Sequence, residues 1–474
     1  MPILADLIFI LHSITLENML KNFTLLLFST VLFAQNQNTT NRTVFGSPLQ
    51  SINTANGSVR CVSDEYEHFL RVNNPERANT EAFEQWIAPK VAEIQERLTT
   101  GRTPNVVITI PVVVHVIHSG QNVGTGRNIS NARVLSQITV LNQDFRRMLD
   151  TPGYNTNAVG ADVEIEFCLA QRDPNGAATN GINRVNLGNT TWNETNVETT
   201  LKPQTQWDPT QYFNIWVCQF GGDLDGVLGY AQFPSNSGLS GLNTNGGAAN
   251  TDGVIIDYRC FGSADIAPGT YFTDYNLGRT ATHEIGHCFG LRHIWGDGGS
   301  QAAGIINCTN NTDYCADTPA AGWENYDCST TYDSCPSAAG VDMVENYMDY
   351  TNDACMNIFT LNQKARILAV MQNSPRRNTL ASSLGCQALG TSEFGWMYEV
   401  KLYPNPASDF VSISINDELP DAFAVYNTLG QLVKQVKVST EADLTINTES
   451  FAQGVYFVKI TKDKATKTVQ FIKE

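Results

Sequence analysis

Residues 283–293 read HEIGHCFGLRH, which packs three of the chain's seven histidines and a glutamate into eleven positions. On a helix, positions i and i+4 share a face, so His283 and His287 can reach one metal ion. Glu284 stands beside them, placed to polarise a water rather than to ligate. Gly290 can take positive φ and end the helix, after which the chain turns back and His293 offers a third nitrogen. Three neutral imidazoles suit zinc and leave one coordination position open. The chemistry this set can do is hydrolysis. A water acidified by zinc gives its proton to Glu284 and attacks a peptide carbonyl, and Glu284 passes the proton to the leaving amine. The competing reading is a set of surface histidines on an amphipathic helix. Chance yields the full five-position pattern on the order of once in 10⁵ chains of this length, which decides against it.

Such a site needs a rigid frame, and the flanking sequence supplies one. Residues 106–120 (VVITIPVVVHVIHSG) form a near-continuous β-branched run that reads as a buried strand. Val134, Ile138, Leu141, Phe145 and Met148 fall at helical spacing over 131–149. Strands are expected at 162–170, 213–220 and 253–257, and helices at 277–290 and 361–373. Strand and helix thus alternate up to the histidines, whereas 295–358 is loop-like and cysteine-rich. This predicts an α/β half followed by an irregular half held by disulfides. Upstream, 62–98 has helical spacing through Phe69, Phe83, Trp86, Ile87, Val91, Ile94 and Leu98, and TTGRTPN at 99–105 is a polar break. From about residue 400, short alternating strands separated by Gly, Asn and Asp turns predict a small β-sandwich.

The extended motif resembles the metzincin zinc signature, whose members place a Met-containing turn beneath the metal. ENYMDY at 345–350 looks like that turn, with Met348 under the ligands. Tyr350 matches the tyrosine that faces the metal in metzincins of the pappalysin type, a position that implies a hydrogen bond to the water or the oxyanion. The segments IPVVVHVIH (110–118), GYAQFP (229–234), DGVIID (252–257), HIWGDG (293–298), ADTPA (316–320) and CMNIFTLNQ (355–363) extend the likeness to bacterial, cytophagalysin-like members over roughly 105–380. The resemblance implies an α/β metzincin domain at 103–386, with a twisted mixed sheet, an active-site helix and a disulfide-rich C-terminal subdomain. It also implies a zinc endopeptidase acting on protein or peptide substrates, which pair with an edge strand by β-augmentation. A preference for Arg next to the scissile bond comes with the family, and no specificity pocket is legible.

The same resemblance assigns the leader. Family precursors use an Arg-Cys pair as a latency switch, with the sulfur in zinc's fourth position. Arg60-Cys61 matches, although Val62 follows where Gly is commoner. Residues 35–102 are then a mainly helical or irregular propeptide, with Arg97 and Arg102 as candidate cleavage points. Of eleven cysteines, removing Cys61 leaves an even ten. The resemblance suggests the bridges Cys308–Cys335 and Cys328–Cys355. The joint presence of Cys288 and Cys315, unusual for the family, suggests a third, and Cys168, Cys218, Cys260 and Cys386 stay unassigned. Related enzymes bind calcium near Asn310, Asn311, Asp313 and Asp317, so a structural Ca2+ on Asp313 and Asp317 is expected. The loop is one residue longer here than is usual.

Export is written at both ends. MLKNFTLLLFSTVLFA at 19–34 reads as a signal peptide cleaved after Ala34, with Met1 or Met19 as the start. Net charge of −17 argues against nucleic-acid binding through a basic patch, and no later segment is apolar enough for a membrane helix. YPNP (403–406), VYNTLGQLV (425–433) and GVYFVKI (454–460) resemble the sorting domain of the type IX secretion pathway of Bacteroidetes, which implies release from the cell or attachment at its surface. A linker is expected at 387–399 and the sorting domain at 400–474, with a β-sandwich binding module as the alternative. The whole reads as a monomeric, latent, secreted protease. The rival readings are a non-catalytic surface adhesin on a protease-like scaffold and a zinc amidohydrolase for non-peptide amides.

Overall fold

A computed structural model describes residues 42–49, 51–101, 107–235, 249–296, 298–308, 313–388, 400–415, 419–462 and 465–474. The expected signal peptide, Arg102, Asn310, Asn311 and most of the 387–399 linker lie outside these residues. The chain divides into two compact units, 1–387 and 388–474.

The first unit is built on a six-stranded sheet. β3 (Ile108–His118) pairs in parallel with β4 (Ile165–Leu169), β5 (Ile182–Asn186) and β6 (Phe213–Cys218). β6 pairs in parallel with β8 (Val254–Asp257), and β7 (Gly229–Ala231) closes the sheet antiparallel to β8. The β-branched run in β3 is buried on both faces, as a parallel central strand requires. On one face lie α3 (Asn131–Phe145) and α4 (Arg279–Cys288), with Phe145, Phe289, Ile285 and Leu141 in one core with Val112, Val114 and Ile215. Beyond α4 the described chain has no helix or strand until α5 (Leu361–Asn373), whose Thr360 forms a capping box with Gln363. The sheet is mixed and the half after the histidines irregular, both as expected.

The leader does not form a unit apart. The hairpin β1 (Thr43–Val44) and β2 (Ser47–Pro48) precedes α1 (Ser63–Asn73) and α2 (Thr80–Thr99). The helical spacing over 62–98 corresponds to these two helices. Pro75 has no N–H to continue α1, and the Asn79 side chain accepts from Ala82 N to start α2. Val44, Val59, Val62 and Tyr66 share a core with Trp216, Phe220 and Tyr230, while Phe83, Trp86 and Ile87 of α2 pack on Ala365, Leu368 and Ala369 of α5.

The second unit is an all-β sandwich. One sheet orders β13 (Thr445–Asn447), β10 (Phe410–Ser414) and β9 (Lys401–Tyr403). The other orders β12 (Leu432–Lys437), β11 (Ala422–Asn427), β14 (Gly454–Lys462) and β15 (Ala465–Lys473). Val411, Ile413, Phe423, Val425, Val458, Ile460 and Phe471 fill the space between.

The disulfides are Cys308–Cys335, Cys328–Cys355 and Cys168–Cys386. The first two match expectation. The expected Cys288–Cys315 bridge is absent, because the two thiols face different elements. Cys288 closes α4 and points at the carbonyls of Gln232 (3.3 Å) and Gly253 (3.5 Å). Cys315 is buried in the later loop beside Asp313 and Arg366. The even count was no guide, since Cys218, Cys260, Cys288 and Cys315 are all buried thiols that pack as small apolar groups.

Cys168–Cys386 closes a loop of 218 residues and ties β4 to the end of the first unit. Replacing both cysteines by Ser should lower unfolding stability by about 2–5 kcal/mol. A urea denaturation midpoint equal to that of the wild type would contradict this role.

Candidate metal centre

α4 carries His283 and His287 one turn apart, and its end is set by Gly290 at φ +88°. Leu291 N donates to Gly286 O and Gly290 N to His287 O, the bonds that turn a helix back on itself. That reversal delivers His293. All three rings are buried. His283 Nδ1 meets the carbonyl of Tyr347 at 2.7 Å and His287 Nδ1 that of Leu291 at 2.9 Å. A carbonyl only accepts, so each Nδ1 carries the proton and each Nε2 is bare. His287 Nε2 then lies 3.1 Å from His283 Nε2 and 3.0 Å from His293 Nε2.

Bare nitrogens this close repel one another. Burial and the neighbouring imidazoles hold His283 well below its ordinary pKa and bring His287 down to about 3, which favours the neutral rings. A metal cation among the three Nε2 atoms relieves the repulsion. Nitrogens bound at 2.0–2.1 Å around a tetrahedral zinc stand about 3.3 Å apart, close to the separations found. The donor set therefore fits zinc.

Met348 lies beneath this set, buried, with its backbone N–H donating to Asn346 Oδ1 and its carbonyl accepting from Ile294 N. A Cβ on Gly286 would come within 2.4 Å of the Met348 Sδ, so the glycine inside the motif is where the turn approaches the helix. The Tyr350 ring stands edge-on to His293 with centroids 4.8 Å apart.

Cys61 closes the fourth side. Its Sγ groups with the three imidazoles, all four ligand atoms lying within 4.8 Å of one another. It also lies 3.3 Å from Glu284 Oε2, and burial followed by that carboxylate pushes its thiol pKa up. Burial raises Glu284 to about 7, opposed by hydrogen bonds from Ser63 (2.9 Å) and Cys61. Glu284 Oε1 has no hydrogen-bond partner among the described residues. Tyr350 donates to the Cys61 carbonyl at 3.4 Å, and Asp64 Oδ2 approaches His293 Nδ1 at 3.2 Å.

The leader lies on the sheet edge. Val59 N donates to Gly226 O, Leu228 N to Val59 O and Val62 N to Gly229 O, with Val59 bridged in parallel to Val227. Arg60 drops into a closed pocket, where Nη1 meets Asp353 Oδ1 at 2.9 Å and the guanidinium lies 4.8 Å from the Tyr275 ring. Asp353 Oδ2 accepts from the backbone N–H groups of Leu277 and Arg279. Sequence reasoning missed Asp353 and Ser63. Asp353 lies 293 residues from its partner in no motif, and only the fold joins them.

Among the described residues Asp313 and Asp317 belong to no group of three or more metal-ligating His, Cys, Asp or Glu side chains, and 309–312 lie outside those residues. Asp313 accepts from Cys315 N and Thr318 Oγ1, with its carboxyl raised by burial to about 7. Asp317 accepts from Thr360 Oγ1 and Asn362 N at the start of α5.

Residues 196–372 match the peptidase family described as pregnancy-associated plasma protein-A, and 401–474 match the secretion system C-terminal sorting domain. An extracellular metalloprotease of Colletotrichum graminicola is 31% identical over 285 residues, 59% of this chain and 83% of its own length. Mature mirolysin of Tannerella forsythia, solved with a cleaved peptide, is 40% identical at a TM-score of 0.50, covering 60% of this chain and 99% of its own. A promirolysin mutant from the same organism is 34% identical at a TM-score of 0.52, covering 70% and 99%. The precursor likeness thus reaches further along this chain than the mature one.

The contact between helix and turn is testable. Gly286→Ala should displace Met348 and cost about 1–3 kcal/mol by overpacking, with zinc content per chain falling alongside the melting temperature. Full zinc content and an unchanged melting temperature would count against the packing described.

Proposed function

Since this chain belongs to the pregnancy-associated plasma protein-A family of metallopeptidases, we propose a mechanism in which Glu284, Tyr350 and Asp353 act on peptides laid along β7. The chain is a secreted zinc metalloendopeptidase made as a zymogen, and its tail is a type IX sorting domain. Export by that pathway fits a fate outside the cell or on its surface. No helix among the described residues is long and apolar enough to cross a membrane. We further propose that 1–34 is the signal peptide, 35–102 the propeptide, 103–386 the catalytic domain, 387–399 a linker and 400–474 the sorting domain, and that the enzyme acts as a monomer.

His283, His287 and His293 would hold the metal. Zinc there supplies Lewis acidity toward water and toward a peptide carbonyl. Glu284, buried and already near neutrality, takes the proton of the attacking water and returns it to the departing amine. Tyr350 donates to the carbonyl oxygen as it now donates to that of Cys61.

The observation that carries the specificity is Arg60 against Asp353. The leader runs parallel to 226–229, so it enters the cleft backwards. A substrate paired antiparallel to the same edge would place the residue after its scissile bond where Arg60 now lies. A buried carboxylate at the end of that pocket selects Arg there. In the precursor, Cys61 takes the position a water needs, and the reversed direction keeps the leader from presenting a cleavable bond to Glu284. Calcium belongs to the proposal at the loop of Asp313 and Asp317. Carboxylate oxygens such as those of Asp313 and Asp317 are the ligand type that calcium takes.

Matured protein should cleave peptides before Arg, and a zinc chelator or Glu284→Ala should lower the rate by at least about 10²-fold. Asp353→Asn should cut kcat/KM for Arg peptides by about tenfold or more relative to Leu peptides. Cleavage indifferent to the chelator would sink the mechanism, and an unchanged Arg preference would sink the pocket.

A further inference from the structure

A buried polar contact joins the leader to the sheet on the face opposite α3 and α4, where Trp216 and Ile255 alternate with Ile215 and Ile256. The Tyr66 hydroxyl of α1 donates to Glu198 Oε2 at 2.5 Å. Glu198 Oε1 accepts from Lys202 Nζ at 2.6 Å and from the Tyr230 hydroxyl of β7 at 2.7 Å. The Tyr66 and Tyr230 rings stand 5.0 Å apart, and Lys202 Nζ lies 4.7 and 4.4 Å from their centroids. Tyr66, Lys202 and Tyr230 are all fully buried. We propose that the place of the Tyr66 ring becomes, in the mature enzyme, a subsite for a substrate tyrosine upstream of the scissile bond, whose hydroxyl donates to Glu198 Oε2. The proposal rests on the reading of 35–102 as a propeptide and on a substrate antiparallel to β7.

The floor of this site stays when the leader departs, because Glu198, Lys202, Trp216, Phe220 and Tyr230 all lie within 103–386. Two donors on Oε1 hold the carboxylate in place, and Lys202 balances its charge. The site therefore offers an acceptor oxygen, Oε2, beside an aromatic wall rather than a charge in need of a counter-ion. A neutral donor on a flat ring matches that description, and a phenol is such a group. Burial, followed by the Glu198 carboxylate, pushes the pKa of both Tyr66 and Tyr230 well above the ordinary value, so each phenol stays a donor. A cationic side chain would meet Lys202, and a phenylalanine would leave Oε2 without the bond that Tyr66 makes.

The position fits the substrate path. Gly229 O accepts from Val62 N at 3.3 Å, and Ala231 N donates to Ser63 Oγ at 2.9 Å. The free edge of β7 thus hydrogen-bonds at 229 and 231, while Tyr230 pairs with Ile255 of β8. In an antiparallel substrate the residue opposite Tyr230 makes no backbone bonds to it, lies about 4.5 Å away at Cα and points its side chain to the same face. A tyrosine there has the reach of Tyr230 itself, whose hydroxyl meets Glu198. A Cβ on Gly229 would lie 3.0 Å from Glu284 Cγ, so β7 passes the catalytic carboxylate one residue before Tyr230. Val59, next to the Arg60 that fills the Asp353 pocket, is bridged to Val227 on the other side of that level. With Arg after the scissile bond, the residue opposite Tyr230 is therefore about one to three residues upstream.

The test uses matured enzyme and peptides that share one scissile bond before Arg and differ only by Tyr or Phe at the first, second or third residue upstream. At one of these positions Tyr should exceed Phe in kcat/KM by about tenfold or more, the worth of a hydrogen bond to a charged acceptor. Glu198→Gln, which turns that acceptor into a neutral amide, should cut the ratio by about threefold or more. Because the readout is a ratio within one preparation, a change in overall activity does not mimic the effect. Should Glu198→Gln fail to fold, the wild-type ratio decides by itself. Tyr/Phe ratios near one at all three positions, with chelator-sensitive cleavage before Arg intact, overturn the subsite and leave the proposed function standing. A Tyr preference that Glu198→Gln leaves whole overturns the role of Glu198. A Tyr preference only after the scissile bond overturns the substrate direction and the subsite together, and no cleavage of any peptide overturns the proposed function as well.

Discussion

Three imidazole Nε2 atoms converge in a buried place, that of His287 lying 3.1 Å from that of His283 and 3.0 Å from that of His293, a spacing that a cation among them satisfies. The surrounding chain is arranged to keep them there. The Tyr347 and Leu291 carbonyls fix the tautomers, Gly290 reverses the chain, and Met348 props the helix at Gly286. Each of these contacts constrains an orientation more than it adds stability. Their value lies in presenting lone pairs that need no reorganisation when the metal binds.

The leader uses the same geometry against itself. Cys61 shares the fourth side of the centre, its carbonyl takes the Tyr350 hydroxyl, Ser63 ties down Glu284, and Arg60 fills the Asp353 pocket. Glu84 of α2 adds a second buried anchor through Arg292 and Arg366. A buried charge that loses its partner costs about 3–5 kcal/mol. Two such sets make gradual peeling of the leader unfavourable, which suits a segment meant to leave only after cleavage. The bridge of Val59 to Val227 sets the leader parallel to the segment that leads into β7.

Much of this was legible because it is local. The motif fixes the metal ligands within eleven residues, and helix and strand spacing placed β3, α3, α4 and α5 close to their observed bounds. Met348 and Tyr350 came from a short segment resembling a known turn. Asp353 and the Glu84 cluster were not legible, because their partners lie hundreds of residues away and single charged residues carry no periodicity. Cys308–Cys335 and Cys328–Cys355 followed from the resemblance, whereas the third bridge did not. Cys168 and Cys386 are separated by 218 residues, and Cys288, though near Cys315 in sequence, faces the strands instead. The helical spacing over 62–98 left the break between α1 and α2 unplaced, and Pro75, with no N–H, stands in that break.

The central claim is that one metal position is shared by three imidazoles and, until the leader is cut, by the Cys61 sulfur. X-ray absorption at the zinc edge reads the ligand atoms directly. The purified precursor should show one sulfur at about 2.3 Å with nitrogens at about 2.0–2.1 Å, and the matured enzyme nitrogen and oxygen alone. A precursor spectrum without sulfur, or a matured one that keeps it, would contradict the account.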